Sequence, residues 1–297
     1  MAFRNIFISS PAKLSVKNNQ LIVKDSVEYS FPLEDISTIL IESAQVTFTS
    51  ALLSQCAQGG VLVYLCDNRH LPCAVLTGFN NHSRKLKILQ SQVDLKLTVK
   101  KHMWQNIVKR KIENQSVVLK LLGKDYTAVL ALAKKVKLND EDNLEAVAAS
   151  KYFRILFGKD FSREYDDITN ARLNYGYSIV RGCVCRCLTV YGFEPSLGIH
   201  HKNQLNSFNL ADDIMEVYRP VVDMCVWQMD DEQETLSIRD KQILYNLLNC
   251  DVVFDRQKHP LSYAIEKTVQ TLQYSYINEK DSLKLREIIP LQQHEYE

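Results

Sequence analysis

Over the first 78 positions, polar and apolar residues alternate in short runs. Residues 13–17 (KLSVK) and 20–24 (QLIVK) both follow a period of two and flank Asn18-Asn19. This predicts a β-hairpin, because asparagine accepts the positive φ of a tight turn. Residues 36–41 (ISTILI) and 46–48 predict further strands, being rich in β-branched or aromatic side chains between turn residues. Residues 50–57 predict a short helix stopped by Gly59-Gly60. Residues 60–66 (GVLVYLC) and 73–77 predict another strand pair. A small, β-sandwich-like unit with one helix is expected over residues 1–78.

The period then changes. After the turn-rich GFNNHS at 78–83, Leu86, Leu89, Val93 and Leu97 fall at helical spacing, as do Trp104, Ile107, Val108 and Ile112. Residues 126–136, 144–157, 169–190, 237–248 and 262–278 also predict helices. In the last of these Ile265, Val269, Leu272 and Tyr276 form one stripe. The expected class is therefore α+β: a β domain at 1–78, a linker at 79–84, and a larger all-helical domain at 85–297. The tail 285–297 contains Pro290 and few helix signals, and is expected to be mobile or to order on a partner.

Composition narrows the class. Of 297 residues, 46% are hydrophobic and 24% charged, with 9 Gly and 7 Pro. That excludes a mainly disordered or collagen-like chain. The longest apolar run is strand-length, and the N-terminus lacks the apolar core of a signal peptide, so a cytoplasmic protein without membrane contact is expected. Eight cysteines without framework spacing read as buried thiols. The Cys183-Val-Cys-Arg-Cys187 cluster lacks the gaps and the second pair of a zinc site.

The net charge of +1 hides a polarised distribution. Between Arg84 and Lys124 eleven basic side chains face two acidic ones, a net of +9, so the rest of the chain nets −8. Such a stretch attracts a polyanion such as a nucleic acid, and Arg84, Lys85, Lys87, Lys100 and Lys101 are the candidate contacts. A solvated helix face is the plainer alternative.

Three separate segments suggest one metal site. In NLEAVAASKY, Glu145, Ala148, Ala149 and Tyr152 share one side of a helix. In PSLGIHHKNQL, a Pro- and Gly-framed loop presents His200 and His201, of which one at most can aim at a shared metal. In NLADDIMEVYRP, Asp213 and Glu216 share a face at i, i+3. One imidazole and two carboxylates suit Mg²⁺ or Mn²⁺, and a divalent ion near a basic surface suits phosphodiester chemistry.

These segments, together with ITNARLNYGY at 168–177, make the chain resemble the CRISPR-associated integrase/endonuclease of spacer acquisition, over essentially its whole length. The family's Glu…Ala-Ala…Tyr pattern is met by Glu145, Ala148, Ala149 and Tyr152. Its Leu-Gly…His loop is met by Leu197, Gly198 and His201. Its acidic segment is met by 213–220. Ala146 stands where the family usually has glycine, and Val217 where it has proline. The loop HHKNQLNSFNLADD is most similar to the branch found beside the single-protein RNA-guided effector nuclease.

The resemblance implies that Glu145, His201 and Glu216 bind the metal, with Asp213 and Tyr152 in support. The implied reaction inserts short foreign DNA fragments into a CRISPR array: a 3′-hydroxyl attacks a phosphodiester at the repeat border. It also implies a homodimer, two of which bridge one dimer of the small adaptation subunit in a heterohexamer. The effector nuclease and an accessory adaptation protein are further candidate partners. A freestanding metal-dependent nuclease and a noncatalytic DNA-binding scaffold are the alternatives.

Overall fold

The computed structural model describes residues 4–67, 72–76, 78, 85–229 and 233–293. The chain divides into two compact units, Met1–Ser83 and Arg84–Glu297. The expected linker at 79–84, Arg84 included, lies outside the described residues.

The first unit contains β1 (Arg4–Ile8), β2 (Lys13–Lys17), β3 (Gln20–Lys24), β4 (Glu28–Pro32), β5 (Ile36–Ile41), β6 (Thr47–Phe48), α1 (Ser50–Gly59), β7 (Leu62–Cys66) and β8 (Pro72–Leu76). Two four-stranded sheets form, in the orders β1-β5-β7-β8 and β4-β3-β2-β6. The β2–β3 hairpin closes on Asn18 and Asn19, both at positive φ (50° and 58°), as the two-residue turn requires. β5 is buried along its whole length, as suits a central strand paired in parallel with β1 and β7. Leu14, Leu21 and Val23 of one sheet share a core with Ile36, Ile39, Ile41 and Val63 of the other and with Leu52 and Cys56 of α1. Thr49 caps α1 by accepting the Leu52 amide, and Gly60 (φ 73°) ends it.

The second unit is built on α2 (Lys85–Asp94), α3 (Leu97–Leu121), α4 (Thr127–Ala133), α5 (Leu144–Phe157), α6 (Ile168–Val190), α7 (Asn209–Met215), α8 (Arg219–Trp227), α9 (Ile238–Asn246) and α10 (Leu261–Ile277). α6 is buried around most of its circumference and is the central helix. A Cβ at Gly176 would run into Val222 of α8, so this residue sets how closely α6 and α8 approach.

The expectation of an all-helical second domain is corrected by a three-stranded antiparallel sheet, ordered β10-β9-β11, from β9 (Cys250–Phe254), β10 (Gln257–Pro260) and β11 (Glu287–Gln293). The β9–β10 hairpin turns on Asp255 and Arg256, both at positive φ, after the β-branched CDVVF run. The tail does not await a partner as far as Gln293: its strand β11 pairs back onto β9, with an irregular register around Pro290, which has no N–H to give the ladder. Among the described residues no helix is long and apolar enough to cross a membrane. All eight cysteines are free thiols, and Cys183, Cys185 and Cys187 are buried in α6.

Candidate active site

Glu145 stands in the first turn of α5. That turn is fixed from outside the helix: the Asp140 carboxylate accepts the backbone amides of Leu144 (2.9 Å) and Glu145 (3.0 Å). Two orphan amide donors are thereby satisfied by a charged acceptor placed at the positive end of the helix. Glu216 begins a 3-10 turn, Glu216–Tyr218, between α7 and α8, and is buried.

Between these two carboxylates sits Lys111 of α3. Its Nζ pairs with Glu145 Oε1 and with Glu216 Oε2. Burial opposes the charge on Lys111, yet Glu216 and Glu145 outweigh it and hold the ammonium above the ordinary lysine range. Burial likewise opposes the charge on Glu216. Arg219, whose Nε lies 2.9 Å from Glu216 Oε1, and Lys111 prevail and keep this carboxyl below the usual range.

The histidine loop is anchored at both sides. The buried Gln92 of α2 accepts the Glu194 amide at 2.7 Å and donates to the Glu194 carbonyl at 3.0 Å. The fully buried Asp213 accepts the amides of Ile199 (2.6 Å), His200 (3.0 Å) and His201 (3.2 Å), and the His201 ring Nδ1 at 2.6 Å. That hydrogen bond raises the His201 pKa against the opposing effect of burial, and it leaves Nε2 as the ring atom open to a ligand. Gly198 permits the loop's close return: a Cβ there would strike the His201 carbonyl oxygen and lie 2.9 Å from Asp213 Oδ2. His200 faces another way, stacked on the buried Trp104 of α3 with ring centroids 4.2 Å apart. Burial lowers its pKa.

Tyr152 is buried on the same side of α5, close to Asp223 of α8. Tyr177 of α6 donates to Asp223. The Tyr177 ring lies under the Arg219 guanidinium at 4.6 Å. Burial pushes the Asp223 carboxyl up to about 6.

The structure thus joins Glu145 and Glu216 through Lys111 and seats His201 on Asp213, within the electrostatic reach of Glu216. Among the described residues no three His, Cys, Asp or Glu side chains already enclose an ion position. The donor set nonetheless fits a hard divalent ion, because two carboxylates from different elements already converge on a positive charge.

The basic segment shrinks on inspection. Lys85 and Lys87 are exposed on α2, and Lys100 and Lys101 are half-buried. Lys100 Nζ donates to the Gln92 carbonyl at 3.1 Å, and burial lowers its pKa. Lys96 pairs with Glu279 at 2.7 Å, and Lys111 belongs to the site rather than the surface. Sequence reasoning missed Lys111, Asp140, Asp223 and Tyr177 as parts of the site.

Residues 6–238 match the family model described as CRISPR associated protein Cas1. The chain belongs to the Cas1 family. Among Cas1 relatives, the CRISPR-associated endonuclease Cas1 of Neisseria meningitidis serogroup C (strain 8013) is 38% identical over the full length of both chains. The CRISPR-associated endonuclease Cas1 1 of Francisella tularensis subsp. novicida (strain U112) is 27% identical, over 90% of this chain and 93% of that one. The Cas1 fold is shared with a casposase bound to integration product (TM-score 0.78, 20% identity, 95% of this chain and 93% of that one). It is shared equally with a CAS1 protein from Thermotoga maritima (TM-score 0.75, 17% identity, 96% and 100%).

Proposed function

We propose that this chain is a metal-dependent DNA integrase/endonuclease that inserts short foreign DNA fragments into a CRISPR array. The observation that carries the reading is the convergence of Glu145 and Glu216 on one buried positive charge, beside a histidine held by Asp213, in a chain of the Cas1 family.

Glu145, Glu216 and His201 Nε2 would hold Mg²⁺ or Mn²⁺, which when bound supplies a Lewis acid for the scissile phosphate. In the reaction a fragment's 3′-oxygen forms a new bond to phosphorus. The bond from phosphorus to the array strand's own 3′-oxygen breaks, and the departing oxygen takes up a proton. One phosphodiester replaces another, so no external energy source is needed. Asp213 fixes the His201 ring and its tautomer. Arg219 pairs with the Glu216 oxygen that Lys111 does not hold, and would add positive charge to a site where phosphate oxygens gain negative charge. Lys85, Lys87, Lys100 and Lys101 would hold the duplex through its phosphates, without reading sequence; Arg84 is assigned to the same set from its sequence position.

A repeat has two borders and the chain carries one Glu–His–Glu set, so two copies must act together. A two-fold homodimer through the N-terminal β unit fits this need. Two such dimers would bridge a dimer of the small adaptation subunit, with the effector nuclease and an accessory adaptation protein as further partners. A Cas6-RT-Cas1–Cas2 complex, of which this chain covers 35%, has the Cas1 fold beside Cas2, which supports the small-subunit part of this reading alone.

The test incubates the protein, the small subunit, Mn²⁺ and a 3′-hydroxyl duplex with a supercoiled array plasmid. Fragment–plasmid joints support the integrase. Nicks without joints point to hydrolysis by the same ligands, and binding without chemistry points to a scaffold.

A further inference from the structure

Lys111 is the charged group at the site that the metal reading leaves without a task. It lies on the buried side of α3, between Trp104 and Gln115, and only 7% of its side chain is exposed. A buried ammonium persists only where its charge is answered. Here two carboxylates answer it, and they come from elements far apart in the chain. The converse holds as well: Glu145 and Glu216 brought together with no cation between them would repel. Glu216 has a second partner in Arg219, on its other oxygen. Among the ion pairs of the described residues, Glu145 has only Lys111.

We propose that Lys111 is an internal counter-cation: it holds Glu145 and Glu216 together when no divalent ion is bound, and it competes with that ion for the same two carboxylates. The second half rests on the metal reading above, while the first rests on the ion pairs alone. Lysine is suited to both tasks. Its ammonium is a compact point charge on a four-carbon stem that can withdraw, whereas a forked guanidinium would stay locked to the carboxylates. Arg219 keeps its hold on Glu216 when Lys111 leaves, so the site does not fly apart during the exchange. Lys111 is a positioning residue in this account, and its effect is read on stability and ion affinity rather than on turnover.

The test uses the full chain and two readouts: thermal unfolding in EDTA, and Mn²⁺ affinity from the electron paramagnetic resonance signal of free ion. In EDTA, Lys111→Met should lower the unfolding midpoint, and adding Glu145→Gln should restore part of the loss by removing one uncompensated charge. With Mn²⁺, Lys111→Met should bind about tenfold tighter or more, because the competitor is gone. A Lys111→Met protein that binds Mn²⁺ no tighter than the wild type overturns the competition. A double variant no more stable than Lys111→Met overturns the counter-cation role. Should Lys111→Met fail to fold, Lys111→Arg decides: it should melt in EDTA like the wild type and bind Mn²⁺ more weakly, and unchanged affinity overturns the proposal. Absence of Mn²⁺ binding by all these proteins would overturn the metal reading and the competition with it. The EDTA comparison would still decide the counter-cation role by itself.

Discussion

Asp213 binds His201 twice, through the ring Nδ1 at 2.6 Å and through the backbone amide at 3.2 Å. It therefore sets both where the loop lies and which ring nitrogen is free. Asp213→Asn should lower the His201 pKa, because the charge-assisted hydrogen bond that raises it is removed. Strand transfer should fall about 10- to 100-fold. Stability should fall by about 1–3 kcal/mol, since an amide cannot accept all four donors. An NMR titration of His201 is the direct check: an unchanged midpoint would show that Asp213 does not control the ring.

The two adjacent histidines should separate cleanly. His201→Ala should reduce strand transfer to background with the fold and DNA binding retained. His200→Ala removes only a ring stacked on Trp104 and should leave most of the activity. The cost to stability should be about 0.5–1.5 kcal/mol. Joining assays on both variants decide this, and the reverse ranking would move the ligand to His200.

Gly198→Ala adds one methyl group and touches no ligand directly. It should nevertheless disable strand transfer, because the new Cβ collides with the His201 carbonyl and crowds Asp213. Stability should drop by about 1–3 kcal/mol. A fully active Gly198→Ala protein would mean that the loop has slack.

Asp223 gives a pH signature. Its folded pKa of about 6 lies above the ordinary aspartate value of 3.8. The folded state therefore holds the proton more tightly than the unfolded state does. This contribution is full below pH 3.8 and is lost as pH rises through about 6. Relative to Asp223→Asn, the wild type should lose on the order of 3 kcal/mol of stability across that window. Denaturant unfolding at intervals from pH 4 to pH 7 tests it, and parallel curves for the two proteins would refute it.

Charge reversal of Lys85 and Lys87, which stand exposed on α2, should weaken binding to unrelated duplexes alike. The slope of log affinity against log salt should flatten by about one for each phosphate contact removed. An unaltered slope in an anisotropy titration would place the DNA surface elsewhere.

Where one period ran without interruption, the sequence was legible. The LEAVAASKYFRILF helix and the KLSVK–QLIVK hairpin stand at the predicted residues. β1 was missed because RNIFI lacks a clear alternation, and β4, although EYSFP alternates, is short and ends on a proline; they form strands by pairing with β5 and β3. β11 was missed because its partner, β9, is remote in sequence. Of the candidate site, Glu145, His201, Asp213 and Glu216 stand in recognisable motifs, whereas Asp140 and Asp223 carry no motif of their own. Lys111 was not legible, since a lysine in a basic helical run reads as solvated. A signal was present: Lys111 continues the face of Trp104, Ile107 and Val108, at offsets of seven, four and three. A charge at a core position asks for partners, but which acids supply them is decided by tertiary packing.

The residues of the site are far apart in order of synthesis. α3, which carries Lys111, leaves the ribosome early, and Glu216 follows only after α5, α6 and the histidine loop. At ordinary elongation rates this interval is on the order of ten seconds. Until it ends, Lys111 has at most one of its acids and His201 lacks Asp213. A chain that stops before residue 216 therefore lacks the second carboxylate that pairs with Lys111 and cannot complete the proposed metal site.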